Sequence, residues 1–224
     1  MKQFALAICI SLLTPVISWA DIIFTLGNNP QVGEENVLLN SGATGSTVTG
    51  TLNQSGLLVN FHSITQTLTT PSNGQARVEA TSGGNQVALR DISFALASGT
   101  FTDAIFNPAV VGTIGASGIA NIIVIPNDAF GNPEPAALFS YNLGNGNNFL
   151  TVTTSNGETI SSISISGAFG LDAGFTDLRQ VRISGASIPT GTVRDNGSTL
   201  ALLGGSGFAL ALLRQKLKPG GVAS

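Results

Sequence analysis

Between Asp21 and Thr192, no stretch of this 224-residue chain sets its apolar residues at helical spacing. The segment breaks instead into short runs rich in Val, Ile, Thr and Phe, separated by Gly, Asn, Ser and Pro. Runs of that kind between turn formers read as strands. Twelve are expected: Ile22–Leu26, Val37–Leu39, Thr47–Asn53, Leu57–Ser63, Ala76–Ala80, Val87–Ala95, Ala104–Phe106, Ile119–Ile125, Ala137–Tyr141, Phe149–Ser155, Ile160–Ser166 and Gln180–Ser187. Thr159 to Ser166 carries the clearest alternation. Ile160, Ile163 and Ile165 share one face with serines between, and Ser161-Ser162 slips the phase. Asn156-Gly157 lies between two of the runs, and Asn-Gly is the strongest short hairpin signal. Pro71-Ser72-Asn73-Gly74 makes a similar turn. Many short strands at regular spacing predict an all-β fold, an antiparallel β-sandwich or jelly-roll-like domain. Phe24, Phe61, Phe94, Phe101, Phe106, Phe130, Phe139, Phe149, Phe169 and Phe175 are expected to fill its core.

The two ends obey different rules. Residues 1–20 read as a signal peptide: Lys2 supplies the positive start, Phe4 to Leu13 the apolar run, and Ser18-Trp19-Ala20 the cleavage site. Cutting is expected between Ala20 and Asp21. It would remove the single cysteine, Cys9, and leave a chain without disulfides. Near the other end, Ser198 to Leu213 holds sixteen residues without a charge, followed by Arg214, Lys216 and Lys218. A helix of that length spans about 24 Å, near the roughly 30 Å of a bilayer core once basic side chains reach outward. The basic cluster stops transfer and stays cytoplasmic, which places the body outside, as the signal peptide also requires. Three parts follow: signal peptide 1–20, β-rich extracellular domain 21–192 and C-terminal tail 193–224.

Charge divides along the same lines. The chain as a whole is −3, with only 9% charged residues. Between Asp21 and Thr192, four arginines face eleven acids, a net −7 with no lysine. So few basic groups argue against nucleic acid as a partner.

Chemistry-bearing motifs are sparse. His62 is the single histidine, and it shares a strand face with Leu58 and Asn60; a packed or solvated strand residue is the expectation. There is no G-x-S-x-G and no phosphate-binding loop with its lysine. Two carboxylate pairs are candidates for acid–base work, Asp172 with Asp177 and Asp128 with Glu134, but a glycosidase would need stacking aromatics, and Tyr141 is the only tyrosine. Asn127, Asp128, Asn132 and Glu134 offer oxygen ligands in one loop and form a candidate calcium site, against the alternative of plain turn chemistry. No other cofactor and no catalytic residue is expected. Arg179 and Arg182 near Asp177 read as surface pairing, Glu34-Glu35 as a solvated loop, and Asn107-Pro108 as a turn after a strand edge.

The tail carries a resemblance. Val193-Arg194-Asp195-Asn196-Gly197-Ser198-Thr199, then the apolar helix, then Arg214 and Lys216, resembles a PEP-CTERM-type sorting signal in its Val-Pro-Asp-Ser-Gly variant. Val193, Asp195, Gly197, Ser198 and Thr199 match. Asn196 stands for a small polar residue and Arg194 for the proline. In the body, the stretches Phe61 to Ala80 and Thr176 to Gly185 are similar to segments of such exported β-rich proteins. The resemblance implies secretion with signal peptidase as first partner, transient membrane anchoring through the C-terminal helix, and cutting by a membrane exosortase. It further implies a final place at the cell surface or in an exopolysaccharide matrix. The resulting expectation is a non-enzymatic structural or adhesive protein. A carbohydrate-binding module and an extracellular hydrolase are the alternatives. An exposed aromatic platform around Tyr141 would favour the first of these.

Overall fold

The computed structural model describes residues 21–39, 41–71, 76–111, 118–168 and 174–188. The chain divides into a unit ending at Ile188 and a second one, Pro189–Ser224. The second unit, the signal peptide 1–20 and Phe169 lie outside the described residues.

The first unit contains fifteen strands: β1 (Ile23–Leu26), β2 (Glu35–Leu38), β3 (Thr44–Gly45), β4 (Thr47–Leu52), β5 (Leu58–His62), β6 (Thr67–Thr69), β7 (Arg77–Ser82), β8 (Asn85–Val87), β9 (Asp91–Leu96), β10 (Asp103–Ala109), β11 (Ile119–Asn127), β12 (Ala137–Asn142), β13 (Leu150–Thr153), β14 (Thr159–Ala168) and β15 (Asp177–Ser184). No helix occurs among the described residues, and every strand pairing is antiparallel. The all-β expectation holds.

Two layers make the core. One runs β1-β13-β10-β15 and the other β4-β5-β9-β14-β11-β12. β2 joins them. Its Glu35 and Asn36 pair with β15, while Val37 and Leu38 pair with β4. Strands that switch sheet in this way form the corners of sandwiches. β15 also pairs with β7, which continues into a small flanking layer of β8, β6 and β3. The two ends of the long order, β1 and β12, come together through Phe24 and Phe139, whose rings stack at 4.8 Å. The sheet therefore nearly closes on itself.

Alternation decides which side chains go inside. On β4, Val48, Gly50 and Leu52 point inward and Thr47, Thr49 and Thr51 outward. On β9, Ile92, Phe94 and Leu96 are buried. Phe94 sits at the centre of the core. It touches Phe61 at 5.8 Å, Phe101 at 6.3 Å and, from the opposite layer, Phe106 edge-on at 5.5 Å. β10 is buried on both faces. Its outward Asn107 is fully sealed, donating to Asn147 Oδ1 and accepting from the Asn148 amide. Asn107-Pro108 is thus strand interior rather than a turn. Phe130 also departs from expectation: it is 80% exposed and belongs to the 127–134 loop, not the core.

The phase slip at Ser161-Ser162 is a β-bulge. Ile125 faces Ser162 and Pro126 faces Ile160, so Ser161 is skipped and Ile160, Ile163 and Ile165 all remain buried. Ser161 Oγ instead accepts from Asn127 Nδ2 at 2.7 Å. The Asn156-Gly157 turn is present, with φ of 54° and 80°. Both residues occupy the left-handed region that Asn and Gly enter at least cost. It does not close a hairpin, however. β13 pairs with β1 and β10, and β14 with β9 and β11, so the turn carries the chain from one layer to the other.

Candidate functional site

The loop proposed for calcium is held by its own groups. Asp128 Oδ1 accepts from the amides of Phe130 (2.9 Å) and Asn132 (2.7 Å), and Oδ2 accepts from Asn132 Nδ2 (2.7 Å). An aspartate that caps the backbone two and four residues ahead is ordinary turn chemistry. Asn127 is buried and turned to Ser161. Among the described residues, no group of three or more His, Asp or Glu is arranged to hold a metal ion. Glu134 departs from the loop: its Oε2 is buried without a hydrogen-bond partner.

Glu134 has acidic company. Glu158, on the Asn156-Gly157 turn, is 4% exposed, and its charged neighbours are the carboxylates of Glu134, Asp21 and Asp128. Burial pushes the Glu158 carboxyl up, and those three like charges push it further. Opposing them is one hydrogen bond, from the backbone nitrogen of Asp21 to Glu158 Oε2 at 2.7 Å. The Asp21 carboxylate accepts from Ser155 Oγ (3.4 Å) and Asn156 Nδ2 (3.3 Å). The first residue after the expected cleavage point is therefore docked on this turn.

A second feature lies where β1 meets β12. Leu26, Gly27, Phe139, Ser140, Tyr141, Asn142, Asn147, Asn148 and Phe149 line a groove of about 550 Å³. Phe139 stacks on Phe24 and lies 6.0 Å from the Tyr141 ring. Tyr141 is not an exposed platform. It is 9% exposed, its hydroxyl donates to the Asn148 carbonyl at 3.0 Å, and burial raises its phenol well above the usual range. Phe139 and Phe149 are the half-buried rings of this groove.

The remaining candidates resolve simply. His62 is exposed on β5, and its Nδ1 shares a hydrogen bond with Thr47 Oγ1 at 2.9 Å. Asp172 lies outside the described residues, and Asp177 is 1% exposed, clamped by Arg179 through Nε and Nη2, both at 2.5 Å. Asp177 is thus interior, while the Arg179 side chain reaches partly into solvent. Beside it, on β7, Arg77 pairs with the buried Glu79, whose carboxyl is raised chiefly by burial. Arg182 binds Glu34 and Asn28. Glu35 accepts from the Gln54 and Ser55 amides at 2.8 and 2.6 Å. Burial alone would raise the Glu35 carboxyl, but these bonds outweigh it and hold it low. Glu34-Glu35 is therefore a bonded corner, not a free loop.

Ala20, the sorting-motif residues Val193, Asp195, Asn196, Gly197, Ser198 and Thr199, and the basic residues Arg214, Lys216 and Lys218 lie outside the described residues. Sequence reasoning passed over Glu158 and Phe139. The first looked like a turn residue and the second like one core ring among ten.

No family model matches the chain, and no curated protein matches it. Among solved structures, the native structure of a family 35 carbohydrate binding module from Clostridium thermocellum is similar over 61% of this chain and 99% of that chain, at 13% identity and a TM-score of 0.16. A likeness that loose carries no argument about fold or function.

Proposed function

We propose that this chain is an exported structural or adhesive protein of the cell surface or of an exopolysaccharide matrix, held transiently by its C-terminal helix and processed by an exosortase. The observation that carries this reading is the order of parts in the sequence: a signal peptide over 1–20, a motif-like stretch at 193–199, an apolar run to Leu213, then Arg214, Lys216 and Lys218. The body is compatible with it. Part of the outward face of the second layer is neutral and polar, with Thr47, Thr49, Asn60, Ser93 and Ser164 running across β4, β5, β9 and β14, while Leu58, Ile119, Ile123 and Leu138 are exposed on the same face. Its titratable members among the described residues are His62 and Asp91. Hydroxyl and amide groups of this kind suit contact with a hydrated polymer, where many weak bonds replace bonds to water.

The Phe139 groove supports a second reading, a carbohydrate-binding module, because it sets a ring beside the amides of Asn142 and Asn147. Cosedimentation of the exported protein with the polymer of its own matrix separates the two. On the first reading, Thr49→Val with Asn60→Leu lowers retention about tenfold, as two lost hydrogen-bonding groups at about 0.5–1.5 kcal/mol each would. Phe139→Ala then changes little. On the second reading, Phe139→Ala abolishes retention and the Thr49/Asn60 pair is neutral. An exported protein that ignores the polymer altogether contradicts both.

A further inference from the structure

Among the described residues, the charges that act on Glu158 are acidic, and the chain can supply a cation. We propose that the α-ammonium group created by cutting between Ala20 and Asp21 is a structural cation of the domain, paired with the Glu158 carboxylate. The proposal rests on the export reading above. Hydrolysis of the Ala20–Asp21 amide consumes one water. The C–N bond breaks, the hydroxyl joins the Ala20 carbonyl carbon, and the nitrogen of Asp21 leaves as an amine that takes up a proton. The nitrogen in question already stands 2.7 Å from Glu158 Oε2. Before the cut it is a neutral peptide donor with one N–H. After it, the same atom carries a full positive charge and three N–H groups.

Three independent facts make this a built arrangement. Asp21 is pinned by contacts to Glu158, Ser155 and Asn156, so its nitrogen needs no rearrangement to form the pair. In the uncut chain Glu158 is 4% exposed, and an ion held against a carboxylate that is partly withdrawn from water gains more than one in bulk solvent. Among the described residues, the charged groups that face Glu158 are Glu134 and Asp128, both from the segment between β11 and β12, and the Asp21 carboxylate, all acidic. With no lysine anywhere between residues 21 and 192, the α-amine would be the single primary amine of the domain. Removal of the leader would then do more than release the chain. It would set an opposite charge against the Glu158 carboxylate, so that full stability is reached only after cutting.

Amine reactivity reads this directly. The exported protein is purified, its first residue is fixed by N-terminal sequencing, and acetylation of the α-amine is followed against pH by the mass of the N-terminal peptide. In the wild type the amine should titrate at least one unit above the ordinary value of roughly 7.7–8.0, with acetylation near pH 7.5 slowed about tenfold. Glu158→Gln should restore the ordinary rate, and Glu134→Gln should move it part of the way. Acetylation should also lower the melting temperature of the wild type but not of Glu158→Gln. An Asp21 amine of ordinary reactivity in the wild type overturns the pairing while leaving export intact. A first residue other than Asp21 overturns the cleavage position and the pairing together.

Discussion

Phe94→Ala is expected to lower the stability of the domain by about 3–5 kcal/mol, the range for removing a buried phenylalanine. The ring is 1% exposed and touches Phe61 and Phe101 on its own side and Phe106 across the core. No neighbour can close the space without breaking one of these contacts. Phe61 stands more than thirty positions before the other three rings in sequence, so the contact ties β5, β9 and β10 together at one point. For a domain of this size the loss corresponds to a fall in melting temperature of roughly 6–20 °C. Thermal unfolding of the exported protein measures it. Phe130→Ala is the control: at 80% exposure it should change stability by no more than about 0.5 kcal/mol. Equal losses at the two positions would contradict the assignment of Phe94 to the core and Phe130 to the surface.

Asp177→Ala has the second large effect. Arg179 lies opposite Arg77 in the β15–β7 register, and each guanidinium is balanced by an acid two residues away, Asp177 and Glu79. The Asp177 side chain is 2% exposed and that of Arg179 is 23%. Its two hydrogen bonds to Asp177 lead the causes that hold the Arg179 guanidinium firmly protonated. Removing the carboxylate leaves two arginines facing each other with one acid between them. The expected loss is about 2–3 kcal/mol, less than for one partner of a fully buried pair because the Arg179 side chain keeps contact with solvent. Replacing both members, Asp177→Leu with Arg179→Leu, should cost less, within about 1–2 kcal/mol, because apolar replacements of buried pairs are often neutral. The denaturant midpoint reports both, at unchanged slope. A double variant as unstable as the single one would mean that the pair contributes through geometry rather than through charge balance.

The all-β architecture was legible in the chain because alternation and turn formers are local. Val48, Gly50 and Leu52 against Thr47, Thr49 and Thr51 need no knowledge of partners. Even the slip at Ser161-Ser162 was visible, though its meaning as a bulge depends on β11. What escaped depends on residues distant in sequence. β3 and β6 are two and three residues long and made of Thr, Leu and Gly, too short to show a period. The run expected over Val87–Ala95 is broken because Leu89 leaves the strand to bridge Phe175. Asn156-Gly157 announced a tight turn correctly, but which strands flank it as partners is set by β1, β10, β9 and β11. Charge misled for the same reason. Asp177 and Arg179 stand two apart on one strand, a spacing typical of a solvated face, and the strands that flank them, β10 and β7, lie about seventy to a hundred residues upstream. The nitrogen of Asp21 and the carboxylate of Glu158 are 137 positions apart, and no local pattern joins them.

The central claim is that both ends of the chain are addresses and the β-rich unit between them is what the cell exports. Intact-mass measurement of the exported protein, from a host with the sorting protease and from one without it, tests it most directly. With the protease, the chain should begin at Asp21 and lack the segment from the 193–199 motif onward; without it, the tail should persist and the protein should stay with the membrane. Released protein that retains Ser198–Ser224 in both hosts would contradict the account.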